Sequence, residues 1–390
     1  FGMGHILHTF SPAKITPGSD DSIFKAFSLE ETKALESSFY INDEYVANEK
    51  LSLSFGLRYS MFQNIGEGEE QIYEEGKPYT EENVIGTKTY KKGDFRNLYH
   101  GFEPRFAAKF TVNPQSSFKT SYNRTRQYVQ VASNNTASLP FDRWISSSRY
   151  VEPQLSDMFS VGYFRNFKDN VFESSLEFYY KTMQNQVDVR TGGDILLGQH
   201  VEQVLLAGEG WSYGMEFMTK KNIGATTGWL SYTLAKTQRK IPGISEGNAY
   251  SPRYDRRHDL SLVLVHKLNE KVSLAGNFIY STGAAVSFPI AKYSINGAVV
   301  DFYDDAQRNA DRMPSYHRMD LSLTLTPQRK HKKWEGSWNF SIYNVYNRKN
   351  PFSIFFREVE GEPEKLEAVQ TSLFGLIPSV TYNFKFLNVK

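Results

Sequence analysis

Apolar and polar positions alternate strictly over long stretches of this chain. Leu51, Leu53, Phe55, Leu57, Tyr59 and Met61 are separated by Ser52, Ser54, Gly56, Arg58 and Ser60. Trp211, Tyr213, Met215 and Phe217 alternate in the same way with Ser212, Gly214 and Glu216, as do Met319, Leu321, Leu323 and Leu325 with Asp320, Ser322 and Thr324. A period of two puts one set on each face of a strand, whereas a helix needs apolar positions three and four apart. Counting such segments predicts about fourteen strands of roughly 9–17 residues, long for a soluble sheet. Their expected centres are Gly4, Ile41, Phe55, Phe106, Tyr122, Tyr163, Phe178, Tyr213, Tyr232, Leu262, Phe278, Leu321, Phe340 and Tyr382.

The connections say more than the strands. Short ones fall around Asn48, Asn113, Asp169, Asn222, Asn269 and Gln328. Long polar ones, roughly 11–37, 63–98, 127–155, 185–207, 239–254, 288–312 and 348–369, lie between them in strict alternation. An up-and-down transmembrane barrel has short turns at its periplasmic end and long loops outside; a soluble sandwich has no cause for this pattern. With the C-terminus in the periplasm, the last strand descends, and the connection before it must be an outer one. It is a long one.

Composition narrows the choice. The 390 residues hold 45 Lys and Arg against 43 Asp and Glu, a net charge of +2, so no bulk attraction to nucleic acid is suggested. With no cysteine there is no disulfide, thiolate metal site or cysteine nucleophile. No apolar run approaches the ~18 residues of a membrane helix. Aromatics nevertheless reach 15%, with 24 Tyr and 29 Phe. In a transmembrane barrel the lipid-facing residues occupy every second position and never build a hydropathy peak. The chain opens Phe1-Gly2-Met3-Gly4, already strand-like, and is expected to be part of something longer.

Several motifs together carry a family resemblance. Phe39-Tyr-Ile-Asn-Asp-Glu44 followed by Phe55-Gly-Leu-Arg-Tyr59, Glu103-Pro-Arg105, Asp255-Arg-Arg-His258, Asn344-Val-Tyr-Asn-Arg-Lys-Asn-Pro351 and the terminal Thr381-Tyr-Asn-Phe-Lys-Phe386 occur in the order found in TonB-dependent outer-membrane receptors, which the chain resembles. The resemblance implies an all-β, antiparallel up-and-down barrel of roughly 22 strands around an N-terminal plug. About fourteen strands are countable here and nothing resembles a plug. Residues 1–390 are therefore expected to be the C-terminal part of the barrel, with the plug domain and first strands absent.

The resemblance further implies the outer membrane of a Gram-negative bacterium, nutrient binding at the extracellular loops and import with energy supplied through TonB. It implies neither an enzyme nor a cofactor. The partners it implies are outer-membrane lipid and lipopolysaccharide, the TonB complex through the plug, and the assembly machinery that reads Tyr382, Phe384 and Phe386; a surface lipoprotein is a candidate. A passive fourteen-strand channel, which is an allowed even number, stays open as the second reading. A soluble β-rich adhesin or enzyme would make the loop alternation accidental.

Enzyme motifs are absent: no Gly-x-Ser-x-Gly, His-Glu-x-x-His or P-loop occurs. Gly208-Glu-Gly-Trp-Ser-Tyr-Gly214 leads into a strand, where a phosphate loop needs a helix N-terminus. The run Arg329-Lys-His-Lys-Lys333 falls in a periplasmic turn and reads as a solvated or headgroup-facing segment. Glu67 to Glu82, and Asp301, Asp304, Asp305 and Asp311, lack the spacing of a calcium loop, and the His are dispersed, so no metal site is assigned. If Pro104, Phe106, Ala108 and Phe110 face lipid, then Glu103, Arg105 and Lys109 face the lumen or plug, because a lipid-facing charge at mid-depth costs ~2–4 kcal/mol. Arg143, Trp144, Trp211 and Tyr250 are the outer-loop candidates for ligand contact, Arg and aromatic side chains being the commonest anchors of recognition surfaces. Each can equally pack within a folded loop or the aromatic girdle.

Overall fold

The computed structural model describes residues 1–11, 14–16, 27–28, 31–132, 143–193, 195, 198, 200–295, 298–327, 334–359 and 362–386. The basic run 329–333 and the last residues, 387–390, lie outside the described residues.

One antiparallel sheet of 14 strands dominates the molecule, and its strands neighbour one another in chain order. They are β1 (Gly2–Phe10), β2 (Thr32–Val46), β3 (Leu51–Ile65), β4 (Phe95–Asn113), β5 (Ser116–Gln127), β6 (Gln154–Phe167), β7 (Phe172–Val189), β8 (Leu205–Lys221), β9 (Thr226–Lys240), β10 (His258–Lys267), β11 (Val272–Ser281), β12 (Tyr316–Leu325), β13 (Trp334–Tyr343) and β14 (Ile377–Phe386). Every expected centre falls inside its strand. The connections alternate long and short as the sequence requires, and small two-stranded hairpins such as Gly68–Tyr73 with Val84–Tyr90 occupy the long ones.

Most strands have the expected length; two exceed it. β4 has 19 residues and β7 has 18, whereas ~9–11 residues cross the hydrocarbon. The surplus lies at the end of the sheet that carries the long connections. Trp211 is corrected by this: it lies in β8, paired with Thr182 and Gln238, and not in a loop. It shares the outer wall with Tyr213, which is 42% exposed.

Side chains on the outer face form apolar rows across strands. Phe55, Phe106, Tyr122 and Phe159 are successive partners, and all face outward. The opposite face is polar. Glu103 is 1% exposed there, while its outward neighbours Phe102 and Phe106 are 58% and 43% exposed.

β1 and β14 stand at the two ends of the strand order, and no ladder joins them among the described residues. The sheet is thus an open arc. A closed fourteen-strand channel would need that ladder, since lipid satisfies no backbone N–H or C=O.

Cysteines placed singly at Lys77 and Arg190, in long connections, are expected to react with an impermeant maleimide on intact cells expressing the full-length protein. Cysteines at Gln115 and Ile223, in short turns, should react only after permeabilisation. The reverse pattern would invert the orientation.

Candidate functional site

The inner face at the β2–β5 end carries a continuous polar network. Arg58 bridges Glu36 at 3.3 Å and Glu103 at 3.9 Å, and His8 reaches Glu36 at 3.3 Å. Ser60 donates to Glu103 at 2.5 Å and meets the Tyr128 hydroxyl at 2.7 Å. Tyr128 stacks on the fully buried Phe62, ring centroids 5.0 Å apart, with Ala34 beside them. Glu103 is therefore held by wall contacts. Arg105 and Lys109 share its face and are exposed. Phe62→Ala should cost ~3–5 kcal/mol, because the cavity it leaves lies between stacked rings and polar groups that cannot collapse. A lower denaturant midpoint of the refolded barrel checks this.

At the end of the sheet that carries the long connections, the strand Arg143–Ser146 pairs with Val129–Ala132. This hairpin stands between two recesses. The first, about 360 Å³, is lined by Arg143, Trp144, Arg96, Glu70, His200 and Glu202, among others. Trp144 is 62% exposed, and Arg143 donates to the Gly198 carbonyl at 2.6 Å. Arg143 and Trp144, consecutive in the chain, thus both line this recess. Against this recess, Tyr73, Tyr79 and Tyr150 pack ring to ring at 4.6–5.2 Å and tie two long connections together. Burial pushes the Tyr73 phenol well above its usual range, so it stays a donor, to Gln71 and Glu202.

The second recess, about 140 Å³, has Asp188, Arg239, Arg253, Tyr254 and Arg308 in its lining. Asp188 is the hub. It accepts from Tyr250 at 2.8 Å and from Arg308 at 3.1 Å, with Arg239 at 3.9 Å. Tyr250 is 4% exposed, so this ligand candidate supports the recess and does not face it. Its burial, then the Asp188 carboxylate, raise its phenol pKa, which keeps the proton on the donor. Arg239 also lies over the Tyr254 ring at 5.4 Å, and its Nε is buried without a hydrogen-bond partner among the described residues. Two guanidinium groups, Arg239 and Arg308, meet the one carboxylate, an excess of positive charge suited to an anion.

Asp188 and Arg308 had no signal in the sequence. A bulge between Met183 and Gln186, with Asn185 at φ 55°, inserts one residue into β7. It flips the alternation, so Asp188, which simple alternation puts on the lipid side, joins Arg239 on the inner face.

The quoted motifs also acquire physical roles. Asp255 is 2% exposed and takes the Thr237 N–H at 2.7 Å and Arg312 at 2.5 Å, anchoring the outer end of β9 to a loop. Asn344, fully buried at φ 55°, exchanges two hydrogen bonds with the Arg348 backbone and makes the turn after β13. Among the described residues no group of three or more His, Asp or Glu is placed to hold a metal. Asp304 caps Ala306, Asp305 bonds Thr191, and Asp311 takes the Phe288 N–H.

Residues 9–345 match the family described as TonB dependent receptor-like, beta-barrel. The chain belongs to this family. No curated protein matches the receptor chain in sequence. Among solved structures it is similar to the ferric-catecholate import receptor Fiu from E. coli K12, with a TM-score of 0.58 at 14% identity over 99% of this chain and 52% of that one. The siderophore receptor PiuA from Acinetobacter baumannii gives 0.58 at 15% identity, over 92% of this chain and 44% of that one. The ferripyoverdine receptor of the Pseudomonas aeruginosa outer membrane gives 0.53 at 12%, over 94% and 41%. At such identities the likeness is one of fold. The receptor chain spans about half the length of the structures it matches.

Proposed function

We propose that the chain forms wall and outer loops of an outer-membrane receptor that captures an anionic nutrient chelate from outside the cell. The arginine-lined recess around Asp188 carries this reading, because it concentrates positive charge on the inner side of the strand ends. A ferric siderophore is the proposed cargo; the neighbouring folds include receptors for ferric catecholates and ferripyoverdine. Arg239 and Arg308 would hold its negative oxygens, with Arg143 and Trp144 contacting it at the first recess. Import would draw on TonB through a plug domain of the kind family members carry. Residues 1–390 would then be the C-terminal part of a wider barrel, which the unpaired edges of β1 and β14 support.

The test is uptake of iron-loaded chelates by cells whose sole receptor is the full-length protein. Uptake should stop when TonB is deleted. Arg239→Gln with Arg308→Gln should weaken chelate binding ~10–100-fold, as expected for losing charge-assisted bonds worth ~1.5–3 kcal/mol. Uptake that persists without TonB would favour the passive channel instead.

A further inference from the structure

The outer wall over β10–β14 holds a feature that capture of a chelate does not use. Leu264, Gly276, Leu321, Ile342 and Pro378 are successive partners in one outward row. Gly276 leaves a gap in that row: a Cβ there would meet only Leu321, at 3.4 Å. The gap opens into an apolar groove of about 570 Å³, whose walls include Leu274, Leu323 and Phe340.

Toward the outer end, the same face continues through Phe278 and Tyr280 to His317 and Tyr346, which line a further recess. Gly276 and Tyr280 are four residues apart, ~13 Å along the strand, close to the ~15 Å depth of one leaflet's hydrocarbon. The mouth is polar. His317 Nδ1 and the Tyr346 hydroxyl are 2.8 Å apart. Asn350 donates to the His317 carbonyl at 2.9 Å and accepts from Arg348 Nε at 3.2 Å, which holds a guanidinium beside the histidine. The other described side-chain bond of Arg348 goes to the Ser315 carbonyl, so none of its described partners is a carboxylate.

We infer that this groove binds lipopolysaccharide through its lipid A part, with an acyl chain over Gly276 and a sugar phosphate at His317, Tyr346 and Arg348. The apolar floor lies at hydrocarbon depth and the cation lies at the rim. That order matches an anionic acyl lipid standing in the outer leaflet. Tyrosine and histidine beside the cation supply the hydrogen bonds a phosphorylated sugar takes. The site depends on the membrane orientation of the sheet, which the cysteine labelling tests separately.

The experiment uses the full-length receptor, purified from outer membranes and stripped by detergent exchange. Purified rough lipopolysaccharide or phosphatidylethanolamine is added back, and native mass spectrometry counts what stays bound. Wild type, and Val161→Phe on another part of the outer face, should retain lipopolysaccharide. Gly276→Phe and His317→Ala should each lower retention about fivefold or more, with the heat-modifiable barrel band unchanged. Gly276→Leu fills the same gap where the larger side chain impairs assembly. Equal retention in all variants, or preferential retention of phosphatidylethanolamine, would overturn the site.

Discussion

A receptor carrying Val380→Arg and Phe384→Arg is expected to fail to assemble in the outer membrane. Both side chains lie on the outer face of β14, 61% and 60% exposed, opposite Phe340 and Gly336 of β13. Val380 is near the middle of its strand. Arginine on the lipid face costs ~2–4 kcal/mol at mid-depth and less toward the interface. The pair therefore removes several kcal/mol from a total stability on the order of 5–15 kcal/mol. The change also breaks the Tyr382–Phe384–Phe386 aromatic row, whose rings contact one another at 5.5–6.3 Å. Thr381→Arg, on the inner face of the same strand, is the control and should be tolerated. Outer-membrane fractionation and the heat-modifiable band measure both. A folded double variant in the membrane would show that β14 does not face lipid.

Asp188→Ala is expected to disconnect the outer loops while leaving the sheet intact. The carboxylate faces Arg239, Arg308 and the Tyr250 hydroxyl, and the side chains of the ion pairs are only 14–19% exposed. Removing one partner of a largely buried ion pair costs ~3–5 kcal/mol, because the cations left behind are neither paired nor fully hydrated. The loss falls on loop docking, since Arg308 also ties residue 189 and Thr191 to the 282–315 connection. Limited proteolysis of intact cells should cut the loops faster, and chelate uptake should fall, at unchanged barrel abundance. Unchanged protease sensitivity would mean the network does not hold the loops.

The strands were legible in the sequence because lipid on one face and a polar interior on the other enforce a period of two. The loop alternation was legible because the two ends of the sheet meet different surroundings. Glu103 is read as lumen-facing from its neighbours alone; in the sheet it is 1% exposed, on the face opposite Phe102. Trp211 and Tyr250 show the limit of such reading. Alternation already puts Trp211 on a strand, at odds with naming it a loop residue, and outside the sheet no such pattern marks that the Tyr250 ring is buried. The bulge at Asn185 is the clearest case: one inserted residue moves Asp188 to the other face, and a local sequence carries no sign of it.

Fold class and strand number follow from the order of residues, since each rests on short-range alternation repeated many times, and the family follows from motifs kept in order along the chain. The site does not. Asp188 meets Arg239, Tyr250 and Arg308 across 51, 62 and 120 positions, and Ser60 meets Tyr128 across 68. Contacts at such separations depend on how loops fold over the strand ends and on where a bulge resets the register. That information exists only once the sheet is assembled, because it comes from which surfaces are left to cover each other.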